Sequence, residues 1–124
     1  MASEGEMQAL ENYVGARLPD DYRDFLLTQG SMREIFGEVT VLELFPVDQI
    51  IRINDAGEIR SRFPGALVIG GDGSREMLAY DFRDGGSNLV LLDISAEDWS
   101  AALFQASSLT ALLKNLPTRG WLFE

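Results

Sequence analysis

The 124-residue sequence contains no cysteine and no histidine, and these two absences exclude several classes of protein at once. Without cysteine the chain has no disulfide framework, no thiolate-bound iron–sulfur cluster and no thiol nucleophile. Without histidine it has no Ser-His-Asp triad, and zinc sites built from cysteine and histidine are excluded as well. Carboxylates remain as metal ligands, but they favour hard cations. We therefore expect no transition metal and no cofactor.

Basic residues are also scarce. The chain has 10 Lys and Arg residues against 20 Asp and Glu, a net charge of −10, and Lys114 is the only lysine. Binding to nucleic acid normally needs several cationic contacts to phosphates, and an anionic membrane surface attracts basic segments, so the composition predicts neither partner. The acidic excess would speed the approach of a basic protein, although acidity by itself also serves solubility.

Long apolar runs are missing too. The longest have four residues, as in 66–69 and 89–92, whereas a membrane-spanning helix needs about 20. The first six residues are acidic and lack the apolar stretch of a signal peptide, so we expect a cytoplasmic protein. A length of 124 residues with 46% apolar content is typical of one globular domain, which we place over residues 1–124.

Two amphipathic segments open the chain. Apolar residues at positions 7, 10 and 14 predict a helix that ends near Gly15, with Ser3 and Glu6 forming a capping box at its start. A second helix is predicted after Pro19, because proline and acidic residues suit a first helical turn. Gly30 is expected to end it.

Strand-like segments occupy the middle of the chain. Residues 39–45 predict a strand, followed by a helix that starts near Val47 and ends between Asp55 and Arg62. Three further strands are predicted, and the short glycine-containing connections between them indicate an antiparallel meander. Their ranges are 66–69, 77–82 and 89–94.

The C-terminal part predicts one more strand and one more helix. The strand covers 101–105, and the helix is capped by Ser107 or Ser108, carries leucines on one face and ends at Pro117. Trp121 and Phe123 stand close to the chain end, so we expect them to dock on the sheet or to lie at an interface. Helices at both ends around consecutive strands indicate an α+β fold.

No constellation in the sequence predicts an enzyme. The glycine-rich stretch 70–75 lacks the Gly-Lys-Ser/Thr ending of a phosphate loop and is followed by a strand, so we interpret it as a tight turn. Acidic pairs such as Asp81 with Asp84 are not placed by the sequence on two sides of a substrate cleft. Chemistry built on carboxylates with Arg, Ser or Tyr is the enzymatic alternative that the residue types leave open.

Three motifs together resemble one known family. Residues 18–26 read Leu-Pro-Asp-Asp-Tyr-Arg-Asp-Phe-Leu, residues 69–82 contain Gly-Gly-Asp-Gly-Ser and a later Asp, and residues 106–113 read Ala-Ser-Ser-Leu-Thr-Ala-Leu-Leu. Their order and spacing resemble the LP-x-x-Y-x-x-F-L segment, the G-x-D-G hairpin and the closing helix of the SUKH superfamily. That superfamily includes fungal regulators of the SMI/KNR type and many small bacterial proteins. Arg75 stands where the family often has glycine.

The resemblance implies a fold and a function. The implied fold is a curved, mainly antiparallel sheet flanked by N-terminal and C-terminal helices. Bacterial members are commonly immunity proteins that bind and neutralise a cognate toxin, often a basic nuclease domain, without catalysis. A regulatory or scaffold protein of the SMI/KNR type without a toxin partner is one alternative, and a small-ligand binder that uses the concave face of the sheet is another.

Acidic residues in and beside the predicted turns are the candidate partner-binding residues. Side chains in such positions project clear of a sheet, where recognition residues often lie. A basic partner would be steered towards them. The candidates are Asp72, Glu76, Asp84, Glu97 and Asp98.

Overall fold

A six-stranded antiparallel sheet, in the order β1 to β6, organises residues 1–123, which are the residues that the computed structural model describes. The strands are β1 Met32–Phe36, β2 Thr40–Leu44, β3 Ala66–Gly71, β4 Glu76–Asp81, β5 Asn88–Asp93 and β6 Leu103–Ala106. The helices are α1 Glu4–Val14, α2 Asp20–Thr28, α3 Val47–Ala56, α4 Ile59–Arg62 and α5 Leu109–Arg119. The sheet curls into a half-barrel, which confirms the predicted α+β fold with a curved antiparallel sheet.

The N-terminal helices form as the sequence predicts. At the start of α1, Ser3 Oγ accepts a hydrogen bond from Glu6 N–H (3.0 Å) and Glu6 Oε1 accepts one from Ser3 N–H (3.1 Å). After α2 the chain turns at Gly30, where φ is +83°. A Cβ at that position would lie 2.7 Å from Met1 Cα, so the turn and the close approach both require glycine.

The sheet separates two apolar clusters, which explains why β3 is buried along its whole length. Leu67 and Ile69 point to the larger cluster, which α1, α2, α5 and part of α3 cover. Ala66 and Val68 point to the smaller cluster around Phe63. Successive side chains of a strand point to opposite faces, so both sets are buried only because both faces of the sheet are covered.

Strand β2 pairs with β3 over only two residue pairs, Glu43 with Gly71 and Leu44 with Gly70. The side chain of Asn54 on α3 takes over where β2 ends. Its Nδ2 donates to Val68 O (2.9 Å) and its Oδ1 accepts from Val68 N–H (3.0 Å), and Asn54 is only 2% exposed. The amide group thus occupies the place of a strand neighbour and fixes α3 to the sheet.

The C-terminal residues join two strands that are not neighbours in the sheet. Trp121 Nε1 donates to Val41 O on β2 (3.1 Å), and the indole packs on the larger cluster, as predicted for docking on the sheet. The Gln105 side chain on β6 donates to Leu122 O (2.6 Å) and accepts from Leu122 N–H (2.8 Å). Phe123 stays 59% exposed. This segment therefore connects β2 with β6 across the curl.

Several features differ from the sequence-based expectations. Strand β1 was not predicted, because two charged residues interrupt its sequence and no alternation marks it. The strand expected over 101–105 begins at Leu103, because Trp99–Ala101 form a 3₁₀ turn that Asp98 caps. Pro117 lies inside α5 and does not end it. Only two helical residues follow this proline, and Gly120 N–H closes the last turn on Leu116 O (3.0 Å).

Truncation of buried leucines on the predicted helix faces is expected to destabilise the fold. Leu26 on α2 and Leu112 on α5 are 0% and 2% exposed in the larger cluster. Leu26→Ala and Leu112→Ala should each lower the free energy of unfolding by about 2–5 kcal/mol, measured by chemical denaturation. The control Lys114→Ala, on the exposed side of α5, should change it by less than about 0.5 kcal/mol. A leucine variant as mild as the control would contradict the assigned core.

Replacement of the buried Asn54 amide by an apolar side chain should lower the free energy of unfolding. Asn54→Leu leaves the N–H and C=O of Val68 buried without their present partners. Each unsatisfied group costs about 1–3 kcal/mol, so we expect a loss of about 2–6 kcal/mol in the free energy of unfolding. Asn12→Leu, at an exposed position of α1, is the matched control. Equal stability of the two variants would contradict the bridging role.

Candidate partner-binding surface

Residues 72–75 of the glycine-rich stretch form a hairpin turn, as predicted, whereas Gly70 and Gly71, which were expected in the turn, end strand β3. Asp72 holds this turn, because its Oδ1 accepts hydrogen bonds from Ser74 N–H (2.8 Å) and Glu76 N–H (3.1 Å). Gly73 adopts φ of +80°, a conformation that glycine reaches without strain. The carboxylate of Asp72 therefore has a structural task in addition to the binding role predicted from the sequence.

The hairpin turn brings acidic residues together. Glu76 begins β4 and lies directly opposite Asp93, the last residue of β5. Asp93 forms an ion pair with Arg75 (3.2 Å). Asp72, Glu76 and Asp93 thus share one end of the sheet, which we call the groove end. The sequence analysis did not single out Asp93, although a meander in this register places it beside Glu76.

The other predicted acidic residues lie elsewhere. Asp84 lies in the turn between β4 and β5, at the far end of the sheet, because the six-residue strand β4 separates it from Glu76. At about 3.3 Å per residue, that separation is on the order of 20 Å. Glu97 and Asp98 lie in the segment between β5 and β6. Asp98 accepts from Ser100 N–H, and hydrogen bonding by Ser100 lowers the pKa of the Asp98 carboxyl.

The contacts of Trp99 show where the segment between β5 and β6 runs. Its ring packs on Phe63 with 5.9 Å between ring centroids, and its Nε1 donates to Pro64 O (2.9 Å). The Arg83 guanidinium from the far end of the sheet stacks on the same indole at 3.9 Å. The structure therefore brings Asp72 and Glu76 together at the groove end and leaves Asp84 at the opposite end.

A groove of about 380 Å³ opens at the groove end, between α3 and the ends of β2, β3 and β4. Its floor is the backbone of Gly70 and Gly71, and Phe45, Ile53 and Met77 supply apolar walls. Four polar side chains also line it. They are Glu43, Gln49, Ser74 and Glu76.

The floor of the groove carries no side chains because β3 lies too close to β2 and β4 at Gly70 and Gly71. A Cβ on Gly70 would lie 1.9 Å from Glu43 O, and one on Gly71 would lie 2.4 Å from Glu76 O. The register between β3 and β4 also shifts between Val68 and Gly70, where a bulge forms. The Gly-Gly pair of the sequence motif therefore shapes the groove as well as the turn that follows it.

The carboxylates of the groove are unpaired within residues 1–123. Five ion pairs occur in that part of the chain, and neither Glu43 nor Glu76 belongs to one. Burial raises the pKa of the Glu76 carboxyl, the carboxylates of Asp93 and Asp72 raise it further, and Arg75 acts in the opposite direction. The groove therefore carries two carboxylates that form no ion pair with the described residues, although Arg75 lies near Glu76 and Arg33 lies opposite Glu43.

A second depression, of about 470 Å³, lies between residues 16–20 and the turn after β4. Its charged side chains satisfy each other, because Arg17 and Asp20 form an ion pair at 3.2 Å. Unlike the groove, it offers no unpaired carboxylate beside apolar walls. The groove is therefore the stronger candidate for partner binding.

Within residues 1–123, no group of three or more acidic side chains is arranged to hold a metal ion. None of the helices described has the length and apolar character needed to cross a membrane.

Comparisons with known proteins agree with the motifs. The model of the SMI1 / KNR4 family (SUKH-1) matches residues 1–115. "Uncharacterized protein YnaB" of Bacillus subtilis (strain 168) is 30% identical over 106 residues, which cover 79% of this chain and 73% of that protein. The matched region contains all six strands and hence the whole groove, whereas the segment with Trp121 lies beyond it.

Removal of the Glu76 charge should stabilise the fold at neutral pH. A carboxyl whose pKa is raised in the folded state binds its proton more tightly there, so its ionised form costs stability. This cost is absent below the ordinary pKa of 4.5, develops as the pH rises from there to the raised folded-state pKa, and is complete above that pKa. We expect Glu76→Gln to raise the free energy of unfolding at pH 7 by less than about 1 kcal/mol, because the carboxyl is only partly buried and solvent screens its charge.

Urea unfolding of both proteins at pH 7 and below pH 4.5 measures this effect. The gain should disappear at the lower pH. Asp24→Asn, at an exposed position of α2, is the control and should show no gain at either pH. A gain independent of pH would contradict the electrostatic cause.

Proposed function

The chain belongs to the SMI1 / KNR4 family (SUKH-1), and from this membership we propose that it is a non-catalytic binding protein, an immunity protein that neutralises a cognate toxin. The toxin is a protein domain with a basic surface, and a nuclease domain is the leading candidate because such domains hold a polyanion. Binding takes place in the cytoplasm of the cell that makes both proteins. No reaction is assigned to the chain.

One observation carries this proposal beyond the family assignment. A chain of net charge −10 has a groove in which the carboxylates of Glu43 and Glu76 have no ion-pair partner among residues 1–123. A basic surface supplies that partner and relieves the repulsion between Glu76 and the nearby Asp93. The net charge of the chain also accelerates encounter with such a surface.

The experiment that tests the proposal first looks for a toxin domain encoded by a neighbouring gene and then uses that domain. Stopped-flow mixing measures the association rate over a salt series, and a toxin assay measures neutralisation. Glu76→Arg should slow association about three- to tenfold at low salt and flatten its salt dependence, because charges at an interface act mainly on the association rate. Asp72 is left unchanged, since its carboxylate holds the hairpin turn.

Asp24→Arg is the matched control, because it changes the net charge by the same amount on α2, which covers the opposite face of the sheet. It should alter the association rate less than Glu76→Arg does. Failure of the wild-type chain to bind or neutralise the neighbouring toxin would contradict the immunity role. Absence of a toxin gene would favour a regulatory or scaffold role of the SMI/KNR type.

A further inference from the structure

We infer that the groove and the adjoining face of the β1–β2 hairpin form one recognition surface, which takes a protein segment that carries an arginine flanked by apolar side chains. The inference rests on the proposed function only in requiring a protein partner. It assigns the site and the chemistry of the segment that the site receives.

The register of the hairpin defines the second half of this surface. Arg33 lies opposite Glu43, and Ile35 lies opposite Val41, so all four side chains share one face of the sheet. That face is turned towards the groove, because a Cβ on Gly73 would lie 3.4 Å from Val41 Cγ1 and 3.7 Å from Arg33 Nη2. The hairpin therefore extends the groove beyond the edge of β3.

Apolar side chains are exposed on both sides of the groove. Ile35 is 57% exposed on β1, and Ile94, which lines the groove from the end of β5, is 47% exposed. Val39, at the tip of the hairpin, is 85% exposed. Single exposed apolar residues are common, but Ile35 and Ile94 lie on two sides of one groove, and apolar side chains grouped in this way mark an interaction surface. They predict apolar groups on the partner beside the residue that enters the groove.

The charges of the groove select the central residue of the partner segment. The carboxylates of Glu43 and Glu76 accept no hydrogen bond from any side chain or backbone group of residues 1–123, and both line the cavity. A guanidinium group donates in several directions at once and stacks on aromatic rings, which suits two carboxylates beside Phe45 better than an ammonium does. Arginine is therefore the expected central residue.

The volume of the groove fits one side chain of a partner protein and is too small for a whole helix. Its volume of about 380 Å³ lies near the lower end of ligand-binding pockets, which span roughly 300–1,000 Å³. A second copy of the chain is a poor occupant, because two molecules of net charge −10 repel each other. A segment of a basic protein fits both the volume and the charge.

A short peptide tests the inference directly. The probe is acetyl-Leu-Arg-Leu-amide, and its counterpart carries citrulline, which has the shape of arginine without the charge. Titration of the full-length ¹⁵N-labelled chain should shift the backbone amides of residues 33–45, 70–77 and 94. The citrulline peptide should bind about fivefold more weakly, the effect of losing a partly exposed charge contact.

Variants place the binding site. Glu43→Gln with Glu76→Gln should weaken binding of the arginine peptide about tenfold and leave the citrulline peptide unaffected. Asp24→Asn, on the opposite face, should leave both peptides unaffected. Shifts centred on residues 82–87, equal binding of both peptides, or no binding would overturn the inference. Shifts that grow with protein concentration alone would assign the surface to a second copy and overturn it too.

The experiments distinguish failure of this inference from failure of the proposed immunity role. If the chain neutralises its toxin and the double variant does so equally well, the inference fails and the proposed function stands. If the peptide binds the groove as expected and no toxin is neutralised, the inference stands and the immunity role fails.

Discussion

The hydrogen bonds between the Asn54 side chain and the backbone of Val68 are the interaction on which the rest of this structure depends. Strand β2 leaves β3 after two residue pairs, and from there a side-chain amide replaces a strand. If the buried N–H and C=O of Val68 lost these partners, the fold would lose several kcal/mol of stability. The two hydrogen bonds therefore fix the position of α3 on the sheet. Because α3 supplies Ile53 and Gln49 to the groove, the same bonds place one wall of the candidate site.

The groove itself combines features that favour binding over stability. Glycines at its floor give up side-chain packing, and the Glu76 carboxylate lies near two others. Sites that bind a partner often carry such costs, which the rest of the fold must offset. Here the two apolar clusters on either side of the sheet provide the offset, and the Trp121 segment adds a connection between β2 and β6. These contacts therefore offset the repulsion between the carboxylates near Glu76.

Much of this fold was predictable from local patterns. Capping by Ser3, the proline before α2 and the glycine-containing turns are set by short-range chemistry, so the sequence predicted them nearly at their observed positions. Strand β1 escaped prediction because it is held by its neighbour β2 and carries no apolar pattern of its own. The role of Asn54 was equally hidden, since nothing in a sequence tells which strand backbone a buried amide will reach.

The candidate site was also only partly predictable from the sequence. The acidic turns were visible in the sequence, but the five acidic residues were treated as one set, and the sheet separates Asp84 from Asp72 and Glu76. Consecutive turns of a meander lie at opposite ends of the strands, so topology decides which charges meet. The groove depends on a bulge between Val68 and Gly70 and on the end of β2, neither of which a local pattern encodes.

If the groove is already formed in the free protein, α3 must stay fixed to the sheet, and the amide hydrogen exchange of Val68 measures whether it does. We expect this N–H, held by Asn54 Oδ1 at 3.0 Å, to exchange only when the whole chain unfolds. Its protection should then equal that of amides in the centre of the β4–β5 pair. Exchange through a local opening, with a free energy far below that of global unfolding, would contradict this expectation.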